Sequence, residues 1–223
     1  MIPYSIPYGR QSIDQADIDA VVEVLKSPWL TQGPTIERFE SAMAERCQAD
    51  FAVAVCNATA ALHIACLAAG LGPGDRLWTT PNTFVASANC GRYCGADVDF
   101  VDIDPHTWNL DAGLLAQKLE AAERVGKLPK VVVAVAFSGQ SCDMQAIAGL
   151  AERYAFTLIE DAAHAVGASY DGRPVGCGAH ATMTVFSFHP VKIITSGEGG
   201  MVLTNRPELA ERLRRLRSHG ITS

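Results

Sequence analysis

The sequence predicts an α/β protein built on an open, largely parallel sheet with helices on both faces. Three observations predict it. Short apolar runs of strand character alternate with helical segments along nearly the whole chain, as repeated β-α-β units require. The run "KVVVAVAF" (130–137) is apolar on both faces, as in a strand covered on two sides. The chain has 223 residues, 48% of them hydrophobic and 19% charged, enough to bury the core of one large or two small domains.

Each element follows from its own pattern. "SIDQADIDAVVEVLKS" (12–27) reads as a helix capped near Ser12, with Ile18, Val21, Val22 and Leu25 on one face. "PWLTQGP" (28–34) ends it with two prolines and a glycine, and "TIERFESAMAERC" (35–47) is a second amphipathic helix. "FAVAV" (51–55) is a strand, "ATAALHIACLAAG" (58–70) an apolar helix, and "GPGD" (72–75) a turn. Then come strand "RLWTT" (76–80), helix "FVASANCGRYC" (84–94) and strand "DVDFVDI" (97–103). "DAGLLAQKLEAAERV" starts a helix at Asp111, and "DMQAIAGLAERYA" (143–155) is a helix leading to strand "TLIEDAA" (157–163). "TMTVFSF" (182–188) and "GGMVLTN" (199–205) are further strands. "PELAERLRRLRSHG" (207–220) is a closing helix, with Pro207 early and Gly220 late. The division expected is residues 1–34 as an N-terminal helix and substrate loop, and 35–223 as one large domain. The chain stops directly after a helix, with no final strand, so it reads as a fragment or as a chain that has lost a C-terminal domain.

Bulk properties narrow the function. The net charge of −6 argues against nucleic acid and acidic membranes as partners. No run has the length of a membrane-spanning helix, and "MIPYSIPYGRQ" lacks the basic and apolar parts of a signal peptide, so the expected compartment is the cytoplasm. The seven cysteines are odd in number and lie mostly in apolar segments; they read as reduced, mostly buried thiols, and no metal site is expected.

In open α/β sheets ligands bind beyond the carboxyl ends of the strands. Four groups fall there. "CNATAAL" (56–62) joins a strand to a helix, so the amides of Ala58 and Thr59 with the helix dipole form an anion site, or else the stretch is a plain helix cap. "IEDAAHA" (159–165) puts Asp161 at a strand end and His164 just beyond. A carboxylate there can keep a ring nitrogen protonated, since charges ~4 Å apart attract by roughly 4 kcal/mol at an effective dielectric near 20. Its other readings are a helix cap or a metal site of Glu160, Asp161 and His164, which alternation weakens by putting Glu160 and Asp161 on opposite faces. Phe84 in "TFVASAN" (83–89) is either a stacking surface for a flat ligand or core. Lys192, with Ser187 before it, sits among small uncharged residues in "FSFHPVKIITSGEGG" (186–200). A desolvated lysine keeps a neutral fraction able to form a Schiff base with an aldehyde. "GCGAHA" (176–181) imitates part of a dinucleotide fingerprint but leads into a strand, which fails the context test. A phosphate cup, a stacking aromatic, an acid for a pyridinium nitrogen and a Schiff-base amine are the parts that pyridoxal phosphate requires.

At these residues the sequence resembles the nucleotide-sugar aminotransferases of the DegT type, which are fold type I pyridoxal-phosphate enzymes. The likeness runs from "YGRQSI" and "WLTQGP" through "ATAALHIA", "TTPNTFVASAN" and "EDAAHAVGASYDGRPVG" to "FSFHPVKIITSGEGGMV" and "RSHG". It implies a large domain with a mostly parallel mixed sheet, with the family's small C-terminal domain missing beyond "RSHG". By the same resemblance, Lys192 is the Schiff-base lysine, Asp161 binds the pyridine nitrogen, and His164 lies by the ring's 3-hydroxyl. Ser187 and the amides of Ala58 and Thr59 hold the phosphate, Phe84 stacks on the ring, and Thr31 and Gly33 lie near the sugar-nucleotide. The implied reaction moves an amino group from L-glutamate, by way of pyridoxal 5'-phosphate, to a keto UDP-sugar. "PYGRQSI" and "WLTQGP" are most similar to the branch serving pseudaminic acid synthesis, where the acceptor is C4 of a UDP-4-keto-6-deoxy-N-acetyl-hexosamine. Family members form their site at a dimer interface, which implies a homodimer in the full-length form. Three alternatives remain: a same-fold sugar dehydratase, in which histidine typically replaces the lysine; a fragment that binds cofactor or partner without turnover; and a nicotinamide oxidoreductase, for which no glycine fingerprint opens a helix.

Overall fold

A computed structural model describes residues 9–221. Residues 1–8, read above for a leader and holding the tyrosine of "YGRQSI", and residues 222–223 lie outside the described residues.

The sheet is assembled from seven strands: β1 (Phe51–Val55), β2 (Arg76–Thr79), β3 (Asp97–Phe100), β4 (Val131–Val135), β5 (Thr157–Asp161), β8 (Met183–Ser187) and β9 (Gly200–Thr204). Their order is β1-β9-β8-β5-β4-β2-β3. Pairing is parallel from β8 to β3, whereas β9 runs antiparallel to both of its neighbours. β9 follows β8 through residues 188–199, which contain no helix, and returns antiparallel beside it, as neighbouring strands joined without a crossover helix do. Two further strands, β6 (Ser169–Tyr170) and β7 (Arg173–Pro174), form a separate hairpin that the sequence pattern did not announce. Its turn residues Asp171 and Gly172 have φ of 48° and 72°, the left-handed geometry of a tight hairpin turn.

Strand alternation sorts the side chains onto two faces. Val131, Val133, Val135, Ile159, Val185 and Val202 pack with α3 (Ala58–Ala68), α4 (Ala86–Tyr93) and α7 (Pro207–Arg217). Val132, Ala134 and Leu158 pack on the other side with α5 (Ala112–Glu123) and α6 (Met144–Tyr154). Asp111 and Asp143 cap those two helices by accepting from the amides of Leu114 and Ala146. A third cluster joins Ala52, Phe186, Met201 and Leu203 to Met43 and Cys47 of α2 (Pro34–Cys47).

The first helix differs from its expectation in two ways. α1 (Gln15–Lys26) is capped by Asp14, not Ser12, because Asp14 and Asp17 satisfy each other's amides reciprocally at 3.0 Å. Its stripe of Ile18, Val21, Val22 and Leu25 is exposed, and the helix buries no residue. Several other elements are shorter than read, two of them by three residues or at the site. β3 stops at Phe100, and α4 begins at Ala86, which leaves Phe84 in the preceding loop. Five cysteines are buried, Cys177 is half-buried and Cys56 is exposed, all as free thiols. No described helix is long and apolar enough to cross a membrane.

Candidate active site

The carboxyl ends of β1, β2, β5 and β8 all lie on one edge of the sheet, since these four strands run the same way. Asp161 is the last residue of β5 and is 6% exposed. Its Oδ2 accepts from the Ser87 hydroxyl at 2.6 Å, and its Oδ1 accepts from the Ala163 amide at 3.2 Å. Burial raises its pKa, opposed by those two hydrogen bonds and by the charges of His164 and Lys192. Glu160 points to the opposite face, where it accepts from the Thr184 hydroxyl at 3.2 Å, so it cannot share an ion with Asp161.

Lys192 is half-buried in the 188–199 connection. The turn that carries it is closed by its own amide, which donates to the His189 carbonyl at 2.9 Å. Thr195 ties the same loop down, its hydroxyl donating to the Phe188 carbonyl at 2.8 Å. Desolvation lowers the Lys192 pKa, and the Asp161 carboxylate pulls it back up. The imidazole of His164 is likewise held below its usual value by desolvation and by the Lys192 charge, against Asp161. Lysine, acid and imidazole therefore sit close enough to shift one another. Gly139, at φ 90°, lets the backbone after β4 approach His164; a Cβ there would meet the His164 carbonyl oxygen at 2.8 Å.

The second half of the site is an anion cup. Asn57 caps α3 by accepting from the Ala60 amide at 2.8 Å, and its carbonyl takes the Ala61 amide. The amides of Ala58 and Thr59 are left without an acceptor among the described residues. Gly200 stands in register with Val55 on one side and with Ser187 on the other. Two strand spacings, ~10 Å, thus separate Ser187 from the mouth of α3. A Cβ on Gly200 would lie 2.4 Å from the Asn57 carbonyl carbon, so only glycine lets β9 press against this helix end. Ser187 is 5% exposed and its hydroxyl accepts weakly from the His189 amide at 3.5 Å.

Phe84 is 73% exposed in the loop between β2 and α4, not in core. Thr31 and Gly33 are brought elsewhere. They line a broad cleft of about 1690 Å³ along the β1 edge, walled by α2, α7 and the segment ending at Gly200. None of Phe84, Asp161, His164, Ser187 or Lys192 lines it. Ser87 was missed by the sequence reading, where it was one small residue in a helix. The available signal was a hydroxyl on the same face as Ala86 and Cys90, both buried.

The DegT/DnrJ/EryC1/StrS aminotransferase family model matches residues 11–223. The chain belongs to that family. It is 44% identical over 221 residues to the spore coat polysaccharide biosynthesis protein SpsC of Bacillus subtilis, covering 99% of this chain and 54% of that protein. It is 42% identical to the UDP-4-amino-4,6-dideoxy-N-acetyl-beta-L-altrosamine transaminase of Campylobacter jejuni, covering 97% of this chain and 56% of the relative. Among solved structures, the pyridoxal-phosphate form of the sugar aminotransferase Spr1654 from Streptococcus pneumoniae superimposes with a TM-score of 0.89 at 30% identity, over 98% of this chain and 59% of that one. The chain spans about half the length of the curated relatives it matches.

Proposed function

We propose that this chain is the cofactor-binding part of a pyridoxal-phosphate aminotransferase that moves an amino group from L-glutamate to a keto nucleotide-sugar. The observation that carries the reading is the placement of buried Asp161, held by Ser87, on the same strand-end edge as the Lys192 loop and an α3 end with free amides. Family membership and the pyridoxal-phosphate form of Spr1654 support the same cofactor. The residues fit it chemically: free amides and a hydroxyl for a dianionic phosphate, a buried carboxylate for a ring nitrogen, and a desolvated amine for an aldehyde.

Bound there, pyridoxal phosphate would supply an aldehyde to carry the amino group and a ring to withdraw electrons from the adjacent carbon. The chain's own residues do the rest. Lys192 would hold the aldehyde through Nζ and, as a free amine, would move a proton to and from the reacting carbon. Its lowered pKa keeps a neutral, proton-accepting fraction present. Asp161 keeps the ring nitrogen protonated. His164 orients the ring edge, Ser187 with Ala58 and Thr59 grips the phosphate, and Phe84 covers a ring face. Thr31 and Gly33, which line the separate β1-edge cleft, would contact the sugar-nucleotide only where it extends into that cleft.

Within this reading the acceptor is C4 of a UDP-4-keto-6-deoxy-N-acetyl-hexosamine on a pseudaminic-acid type route, in a cytoplasmic homodimer. The name of the Campylobacter jejuni relative supports that acceptor. A second reading, cofactor binding without turnover, draws on the half-length match to the relatives. A dehydratase is disfavoured because Lys192 stands where that reaction needs no amine.

The test is the visible Schiff-base band of the purified chain with pyridoxal phosphate, measured beside Lys192→Ala. The band is expected in the parent and absent from the variant; an unchanged band in the variant overturns the assignment. Addition of glutamate should bleach the band to the pyridoxamine form, and its persistence selects the non-catalytic reading. Mass spectrometry of 4-keto UDP-sugars with glutamate as donor then identifies the acceptor.

A further inference from the structure

We propose that Ser87, backed by Thr83, is a positioning residue that ties Asp161 to the start of α4 and keeps the Asp161 carboxylate ionised and aimed. The second half of this inference rests on the cofactor reading above.

Ser87 is fully buried in the first turn of α4, and makes two separate attachments. Its hydroxyl donates to Asp161 Oδ2 at 2.6 Å, while its backbone amide donates to the Phe84 carbonyl at 3.2 Å. One residue therefore ties down both the acid and the backbone of the exposed aromatic. The backbone carbonyl of Ser87 is occupied as well, accepting from the Cys90 thiol at 3.2 Å.

The direction of the hydroxyl chain follows from proton counting. Thr83 Oγ1 and Ser87 Oγ are 2.8 Å apart, and Ser87 has one proton. An ionised Asp161 can only accept, so it takes the Ser87 proton, and Thr83 must then donate to Ser87. Were Asp161 protonated on Oδ2, the chain would have to reverse, with Ser87 donating to Thr83. The charge on the acid therefore sets the donor–acceptor direction of the hydroxyl pair next to Phe84. A short hydroxyl bond to a carboxylate is a strong, charge-assisted one. The other groups facing Asp161 are the Ala163 amide and the side chains of His164 and Lys192, with Glu160 beside it on the opposite face of the strand.

Two measurements on the purified chain separate this role from packing. The first needs no cofactor. Burial raises the folded Asp161 pKa, so its cost is absent below the unfolded value and grows as pH rises through the folded one. Ser87→Ala removes a bond to the ionised form, so its stability deficit should grow from pH 4 to pH 8 in urea unfolding. A deficit of equal size at both pH values means lost packing only and overturns the relay. The second is pyridoxal phosphate affinity, read from the Schiff-base band. Ser87→Ala should weaken it by about tenfold to a hundredfold, the loss of one charged hydrogen bond. Thr83→Ala should weaken it less, and Thr83→Ser should restore the parent value. Unchanged affinity in Ser87→Ala, or Thr83→Ser behaving as Thr83→Ala, overturns the proposal. If the parent chain binds no cofactor, the cofactor reading fails, and the pH slope still decides the relay.

Discussion

Glu160→Gln offers the sharpest test of the electrostatics of β5. Glu160 is 6% exposed and faces the α5–α6 side of the sheet, with the Thr184 hydroxyl as its hydrogen-bond donor. Burial, reinforced by the neighbouring Asp161 charge, pushes its pKa from 4.5 up to about 7. A raised carboxyl binds its proton more tightly in the folded state than in the unfolded one. Its stability is therefore complete below pH 4.5 and is lost as pH rises through about 7. The gap between those two values, at about 1.4 kcal/mol per pH unit, amounts to about 3 kcal/mol. Glutamine cannot ionise, yet its carbonyl oxygen can still accept from Thr184. Urea unfolding of parent and variant at pH 5 and pH 8 isolates the effect, because any packing change in the variant is common to both. The parent should lose about 2–3 kcal/mol more than the variant between these pH values. Parallel loss in the two proteins would refute a buried, titrating Glu160.

Two other substitutions probe how the edge of the site is held. Gly200→Ala places a Cβ 2.4 Å from the backbone of Asn57, which cannot swing away as a side chain could, so thermal unfolding should show a loss of about 1–3 kcal/mol. Retention of free phosphate or of pyridoxal phosphate should fall with it, since the displaced element is the end of α3. Arg217→Ala removes the partner of Glu40, whose side chain is 12% exposed and whose carboxylate also accepts from the Ala54 amide at 2.8 Å. Leaving that partly buried carboxylate unpaired should cost about 1–3 kcal/mol in urea unfolding. A loss below about 0.5 kcal/mol would class the pair with solvated surface bridges.

What could be read from the sequence was whatever is encoded locally. The central strands stood out because "VVVAV" is apolar at every position, and Asp111 and Asp143 marked helix starts because capping is a contact three residues long. The apolar stripe of α1 was equally legible, but periodicity reveals a face and not the surface that covers it. Ile18, Val21, Val22 and Leu25 accordingly look like core and are exposed. The β6–β7 hairpin escaped because strands of two residues have no measurable period; only Asp171-Gly172 hinted at it. Phe84 was read inside a helix because its neighbours are apolar, whereas α4 starts two residues later. For Ser87 the sequence could show only a hydroxyl on a buried helix face, not its partner, since that hydroxyl meets an acid 74 residues away. Asp161 and Lys192 were found because each is a charged residue in an apolar or small-residue context, which is a local signal.

The antiparallel strand explains why those two charged residues share one edge of the sheet. A chain leaving β8 toward a parallel neighbour would cross the sheet and re-enter at the opposite edge. Here the chain leaves at Ser187 and re-enters at Gly200, its register partner, on the edge it has just left. The connection from 188 to 199 thereby starts and ends at the carboxyl edge, the same edge at which β5 ends with Asp161. Lys192 needs no long-range contact of its own to be held there; the reversal does it. The reversal in turn depends on Gly200, because β9 starts in contact with Asn57 and Ala58 at the mouth of α3. A single glycine thus joins the lysine loop, the hydroxyl of Ser187 and the free helix amides, which is why its replacement should disturb phosphate binding and stability together.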